Sequence, residues 1–258
     1  MTAFIRRWLE RYLKPEIRRP RFVLFASDFV AVYAIGDVHG SVELLRHAYE
    51  KIIEDRSEVT GRKLVVFLGD YVDKGPDSKA VLEFLCEPVR EGMHHVCLCG
   101  NHDAEFFRFL QDPKSNLGWL DFGGVDTLRS YGVDAKHILK NGGGPDVLHR
   151  TVCQAIPDQH IDFLSSLPTM LKVGDMVFVH AGVRPGIPLV EQTDHDLLWI
   201  REPFLTEGPK LPLFVFHGHT VTAKPDFGKR RVGIDTGAFA TGRLTVLKLS
   251  QGTVSMLE

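Results

Sequence analysis

Five apolar segments of this chain each run straight into a glycine flanked by a carboxylate, an imidazole or an amide. Leu64-Val65-Val66-Phe67-Leu68 leads into Gly69-Asp70-Tyr71-Val72-Asp73-Lys74-Gly75. Val32-Tyr33-Ala34-Ile35 leads into Gly36-Asp37-Val38-His39-Gly40, and Val96-Cys97-Leu98-Cys99 into Gly100-Asn101-His102-Asp103. Val177-Phe178-Val179 runs into His180-Ala181-Gly182, and Phe214-Val215-Phe216-His217 into Gly218-His219-Thr220. An apolar run of this length reads as a buried strand. Buried strands do not end in paired carboxylates unless a positive charge sits beside them. Here that charge is either Lys74 alone or a metal ion.

The order of elements points to an α/β fold. Strands near 31–35, 64–68 and 95–99 alternate with helical patterns over Glu43–Glu54, Ser78–Leu85 and from about His102, so chemistry-bearing groups lie at strand ends. Residues 112–168 read as helical patches separated by Gly and Pro, with Asn141-Gly142-Gly143-Gly144-Pro145 as a loop. Closely spaced strands follow at 170–173, 176–179, 213–217, 231–235 and 243–249, a β-rich second half. No linker divides the chain. We assign residues 1–30 to an N-terminal basic leader and 31–258 to one domain.

Composition bears on what this domain can meet. Net charge is −2, so no broad positive field is offered to nucleic acid. Cys86, Cys97, Cys99 and Cys153 form no C-x-x-C pair and no disulfide framework, which fits a reduced, cytoplasmic setting. In the leader, Phe4, Ile5, Trp8, Leu9, Tyr12 and Leu13 recur at helical spacing between Arg6, Arg7, Arg11 and Lys14. This pattern predicts a short basic amphipathic helix ending near Pro15, packed on the domain or hanging from it. A membrane-surface anchor is the minor alternative.

Six residues form the candidate ligand set: Asp37, His39, Asp70, Asn101, His180 and His219. Carboxylate and amide oxygens with imidazole nitrogens, and no thiolate, suit a hydrolytic centre of two divalent metal ions (Mn, Fe or Zn) better than a structural zinc site. A lone D-x-H is ordinarily a turn or a helix cap. Five such elements, each after an apolar strand and each beside Gly, are not a chance set of turns. Glycine belongs where backbone crowds an ion or a phosphate.

These motifs resemble the signatures of the phosphoprotein phosphatases, bacterial serine/threonine type, within the calcineurin-like metallophosphoesterase superfamily. Gly36–Gly40, Gly69–Gly75 and Gly100–Asp103 look like the three signature motifs, and His180-Ala181-Gly182 and Gly218-His219-Thr220 like the two later histidine motifs. The resemblance spans residues 31–249 and implies a four-layer sandwich of two mixed β-sheets flanked by helices. It implies that Asp37 and His39 bind the first metal, that Asp70 bridges both, and that Asn101, His180 and His219 bind the second. A metal-activated water would be the nucleophile, His102 the general acid, and Asp73 the group that orients His102. Asn101 and two cations, Lys74 and Arg201, would meet the substrate phosphate.

The chain departs from the pattern in places. Lys74 stands where the family usually has Arg, and a lysine cannot grip two phosphate oxygens as a fork. Cys99 stands where many eukaryotic members have Arg. Asp103 replaces the Glu of the protein phosphatases, as in the symmetrical diadenosine tetraphosphate hydrolases, whereas Asp73 is an acid those hydrolases often lack. The expectation is therefore a metal-dependent phosphomonoester hydrolase, acting on phosphoserine or phosphothreonine of a phosphoprotein or on a small phosphoester. The alternatives are a symmetrical dinucleoside tetraphosphate hydrolase or a non-catalytic phospho-binding module. His219 is preferred to His217 as ligand, His94 and His95 are read as surface groups, and Asp235 as a partner of a site histidine.

Overall fold

The computed structural model describes residues 18–55 and 61–257. The amphipathic helix expected over residues 4–14 lies outside them. Two mixed sheets form the frame. In the first, β2 (Ala31–Ile35), β3 (Lys63–Phe67) and β4 (Met93–Cys97) run parallel, and β10 (Val246–Ser250) pairs antiparallel with β2 and with β11 (Thr253–Met256). The second has the order β1-β5-β6-β7-β9-β8, from β1 (Arg21–Leu24), β5 (Met170–Val173), β6 (Met176–Val179), β7 (Phe214–His217), β8 (Asp226–Gly228) and β9 (Arg231–Gly233).

Alternation along each strand explains the layering. Val32, Ala34, Leu64, Val66 and Val96 of the first sheet pack on Leu171, Phe178, Phe216 and Val232 of the second, forming the central core. The other face of the first sheet presents Tyr33, Ile35, Val65 and Phe67 to helices α1 (Val42–Glu54), α2 (Ser78–Leu85) and α3 (Asn101–Gln111). The other face of the second sheet presents Val177, Val179 and Val215 to Leu197, Ile200 and Phe204. Because both faces of β2, β3 and β6 are covered, they are continuous apolar runs rather than alternating ones. The result is the four-layer sandwich, with helices outside two sheets.

The leader boundary needs amending. Arg21–Leu24, placed in the leader, forms edge strand β1 and pairs in parallel with Met170–Val173. Four residues with an exposed middle carry no periodic signal, and the pairing partner is remote in sequence. His94 and His95, read as surface groups, lie within β4 and are partly buried. The His95 ring meets the Tyr49 hydroxyl at 2.8 Å. Asn141, Gly142 and Gly143 separate two helices, Ala135–Lys140 and Gly144–Ala155. Among the described residues, no helix is long and apolar enough to cross a membrane.

Candidate metal centre

Three parallel strands, β2, β3 and β4, end side by side, so the turns that follow them share one edge. Backbone bonds lace these turns together: the Asp70 carbonyl accepts from Val38 N–H at 3.1 Å and His39 N–H at 2.8 Å. β6 and β7 end against the same edge, where Gly218 N–H donates to the His180 carbonyl at 2.7 Å. His39, Asp70, Asp73, Lys74 and His219 all adopt positive φ, between 41° and 71°. Such backbone costs about 1 kcal/mol or more for a residue with a Cβ, and it gathers where geometry is held for a purpose.

The side chains converge. Asp70 Oδ2 lies 3.3 Å from His39 Nε2 and 3.5 Å from His180 Nε2, so one oxygen faces two imidazoles. Asn101 Oδ1 lies 2.8 Å from His180 Nε2 and 2.9 Å from His219 Nδ1. The ligand atoms of Asp37, Asp70 and His180 fall within 4.8 Å of one another, as do those of His39, Asp70 and His102. Every one of these residues is buried.

Tautomers are set by the backbone. His39 Nδ1 meets the Val72 carbonyl at 2.8 Å, and His180 Nδ1 meets the Leu68 carbonyl at 2.9 Å. A carbonyl only accepts, so each ring carries a proton on Nδ1 and turns Nε2 inward.

The charge balance favours a cation. Burial, and then the charges of Asp235 and Asp70, push the Asp37 carboxyl well above its ordinary pKa. Burial also opposes the Asp70 charge, yet His180, His102 and His39 hold that carboxyl well below the usual range. Asp37 Oδ1 is buried and has no hydrogen-bond partner among the described residues. A buried carboxylate oxygen left bare is costly unless a positive ion meets it. Burial, with His180 next, lowers the His219 pKa to about 3, leaving a neutral imidazole. The donor set and the bare oxygen therefore fit divalent cations.

Two glycines admit this crowding. A Cβ at Gly218 would sit 1.9 Å from Asp37 Oδ1, and one at Gly100 would sit 2.1 Å from Asp70 Oδ1.

Beside the cage, His102 Nδ1 lies 2.7 Å from Asp73 Oδ2. The same oxygen accepts the Trp119 indole N–H at 2.9 Å, and Asp73 Oδ1 accepts the Thr127 hydroxyl at 2.6 Å. Asp73 is thus fully satisfied, and its bond fixes the His102 ring. Phe122 stacks on His102 with ring centroids 4.1 Å apart and planes 7° apart.

The family model for calcineurin-like phosphoesterases matches residues 30–233. The chain belongs to that family. Its members use a dinuclear divalent metal site, and the converging donors above are this phosphoesterase's candidate for it. A bis(5'-nucleosyl)-tetraphosphatase PrpE (asymmetrical) of Geobacillus thermodenitrificans is 25% identical over 244 residues, covering 85% of this chain and 90% of its own. A symmetrical bis(5'-nucleosyl)-tetraphosphatase of Cellvibrio japonicus is 29% identical over 193 residues, covering 73% of this chain and 57% of its own. A crystal structure described as that of a candidate diadenosine tetraphosphatase superposes with a TM-score of 0.62 at 20% identity, covering 92% of this chain and 97% of that one. The two sequence relatives are named for dinucleoside tetraphosphates, the alternative among the expectations, rather than for phosphoproteins.

Other expected groups of the phosphoesterase take varied places. Lys74 is exposed, and its ammonium donates to His39 Nε2 at 2.9 Å, the nitrogen a metal would use. Arg201 is exposed, and its charge reaches His219. His217 turns away from the cage, with Nδ1 near the Gly218 carbonyl at 3.1 Å and Nε2 towards Arg231. Asp235 accepts the Gly237 N–H at 2.9 Å and acts on Asp37 and His180 through its charge, in place of the expected histidine hydrogen bond.

Sequence reasoning missed Trp119, Phe122 and Thr127, which come from the helical stretch after α3. It also read Asp103 only as a family departure. Asp103 is fully buried and accepts three backbone N–H groups: Asp70 at 2.8 Å, Tyr71 at 2.9 Å and Gly100 at 2.9 Å. Burial, then the Asp70 charge, raises its pKa to about 7 against those bonds.

Proposed function

We propose that this phosphoesterase hydrolyses a phosphoanhydride bond of a dinucleoside tetraphosphate. The observation that carries the hydrolytic reading is the single Asp70 oxygen facing both His39 and His180, which is the arrangement a shared ligand of two cations requires. The substrate class is supported by the tetraphosphatase relatives that match most of both chains. Unequal cleavage, to a nucleoside monophosphate and a nucleoside triphosphate, follows the asymmetrical relatives.

Bound divalent cations would supply an activated water and neutralise charge on the substrate oxygens. Asp37, His39, Asp70, Asn101, His180 and His219 would hold them. Water adds to phosphorus and the bridging P–O bond breaks. His102 delivers its Nε2 proton to the departing phosphate oxygen, while Asp73 keeps the ring aligned. Lys74 and Arg201 bracket the phosphate chain as point charge and fork.

A second reading, hydrolysis of phosphoserine or phosphothreonine, draws on the His102–Asp73 pair at 2.7 Å. A histidine acid helps most when the leaving group is an alkoxide. Diadenosine tetraphosphate and a phosphothreonine peptide, each incubated with manganese-loaded protein, separate the two. Release of AMP and ATP supports the first reading. Two ADP molecules would correct the cleavage position, and turnover of the peptide alone would overturn the substrate class.

A further inference from the structure

Partly exposed aromatic rings flank the cage on two sides. Phe239 is 42% exposed, sets its ring edge to face with His39 at 5.6 Å, and carries the Lys74 ammonium 5.3 Å from its centroid. Phe122 is 39% exposed, stacks on His102, and has Trp199 tilted beside it at 5.8 Å. Trp199 in turn meets His219, the histidine on which the Arg201 charge acts, at 6.1 Å. His39 and His102 lie 4.7 Å apart between Phe239 and Phe122. One side of the cage therefore offers Phe239 with the Lys74 ammonium over its ring, and the other offers Phe122–Trp199 beside His219, on which the Arg201 charge acts.

Exposure alone is not the signal, because Phe25 and Phe227 are more exposed still, at 73% and 63%. The signal is contact between these rings and the histidines of the site. A phosphopeptide needs no flat partner there. A ligand with a polyanionic middle and a flat base at each end uses every one of these groups.

We infer that Phe239 on one side and Phe122–Trp199 on the other are stacking surfaces for the two bases of the substrate, with Lys74 and Arg201 reading the phosphates between them. This deepens the proposed function and rests on it for the identity of the substrate. Every base has a π-face, so stacking recognises a nucleobase without selecting its sequence of hydrogen bonds. The nucleoside preference should accordingly be broad.

The test compares AMP with ribose 5-phosphate, which differ only in the base, by titration calorimetry on manganese-loaded full-length protein. AMP should bind about fivefold to a hundredfold more tightly, the range of stacking on an aromatic side chain. Phe239→Leu and Trp199→Leu should each shrink that ratio, and the double substitution should bring it close to one. Equal affinities for the two probes, or binding of neither, overturn the inference. So does a ratio that both substitutions leave unchanged. The outcome is separate from that of the proposed function: tetraphosphate cleavage with no base-dependent affinity sinks only the stacking surfaces, and base-dependent affinity without cleavage sinks only the reaction.

Discussion

The carboxylate of Asp103 accepts the backbone N–H of Asp70 at 2.8 Å, tying the turn after β3 to the first turn of α3. Asp70 holds a left-handed backbone there, with φ of 54°. The pinned turn aims the Asp70 side chain at His39 and His180.

Asp103→Asn removes a charge that burial makes costly, yet it should still destabilise the protein. Both carboxylate oxygens accept backbone N–H groups, and an amide nitrogen placed there confronts a donor with a donor. The expected loss is about 1–3 kcal/mol, the cost of leaving a buried polar group unmet. Denaturant unfolding of the two proteins measures it, and an unchanged midpoint would show that the pin is dispensable.

Gly218→Ala should act on metal rather than on the frame. The added Cβ meets Asp37 Oδ1 at 1.9 Å, so the carboxylate must turn out of the cage. Manganese should then give this variant a much smaller rise in melting temperature than it gives the parent. Equal rises would mean that Asp37 takes no part in holding a cation.

Metal binding should depend on pH through Asp37. Its folded-state pKa is raised by burial and by Asp235 and Asp70, so the metal-free protein gains from protonation and loses that stability as pH rises. A cation binds the charged form and cancels the loss. The thermal stabilisation given by a fixed manganese concentration should therefore grow as pH rises above the ordinary carboxylate range. A flat or falling increment contradicts this sign.

His102→Asn should separate chemistry from metal binding. The variant keeps the cage but loses the proton donor, and general acids contribute about 10²–10⁴-fold. That full loss is expected for an alkyl phosphate such as β-glycerophosphate. The loss should be smaller for diadenosine tetraphosphate, whose leaving group departs as a stable phosphate anion. Steady-state rates with each substrate, alongside metal content, decide it. Equal losses on both would assign His102 to metal or substrate binding.

The sandwich was legible in the sequence because buried parallel strands are uninterrupted apolar runs and their chemistry sits two to four residues past the end. Asp37, Asp70 and Asn101 could be read that way, each behind a glycine with a close-packing reason to be there. β1, β8 and β11 could not. They are short edge strands of three or four residues, largely exposed, and paired through contacts that no local pattern encodes. The support of Asp73 was hidden for a similar reason. Trp119 and Thr127 reach it from helices whose periodicity reports burial but not what lies on the buried side. The sequence weighs the substrate towards a phosphoprotein because the His102–Asp73 pair speaks to proton transfer, whereas the contacts of Phe122, Trp199 and Phe239 with the site histidines form only once the chain has folded.

Metal content per chain, measured by elemental mass spectrometry on protein reconstituted with manganese and freed of excess ion, is the most direct trial of the cage. Two ions per chain are expected, with occupancy falling at both positions in Asp70→Ala because one carboxylate serves both. A single ion in the parent, or an Asp70→Ala variant that retains two, would contradict the account.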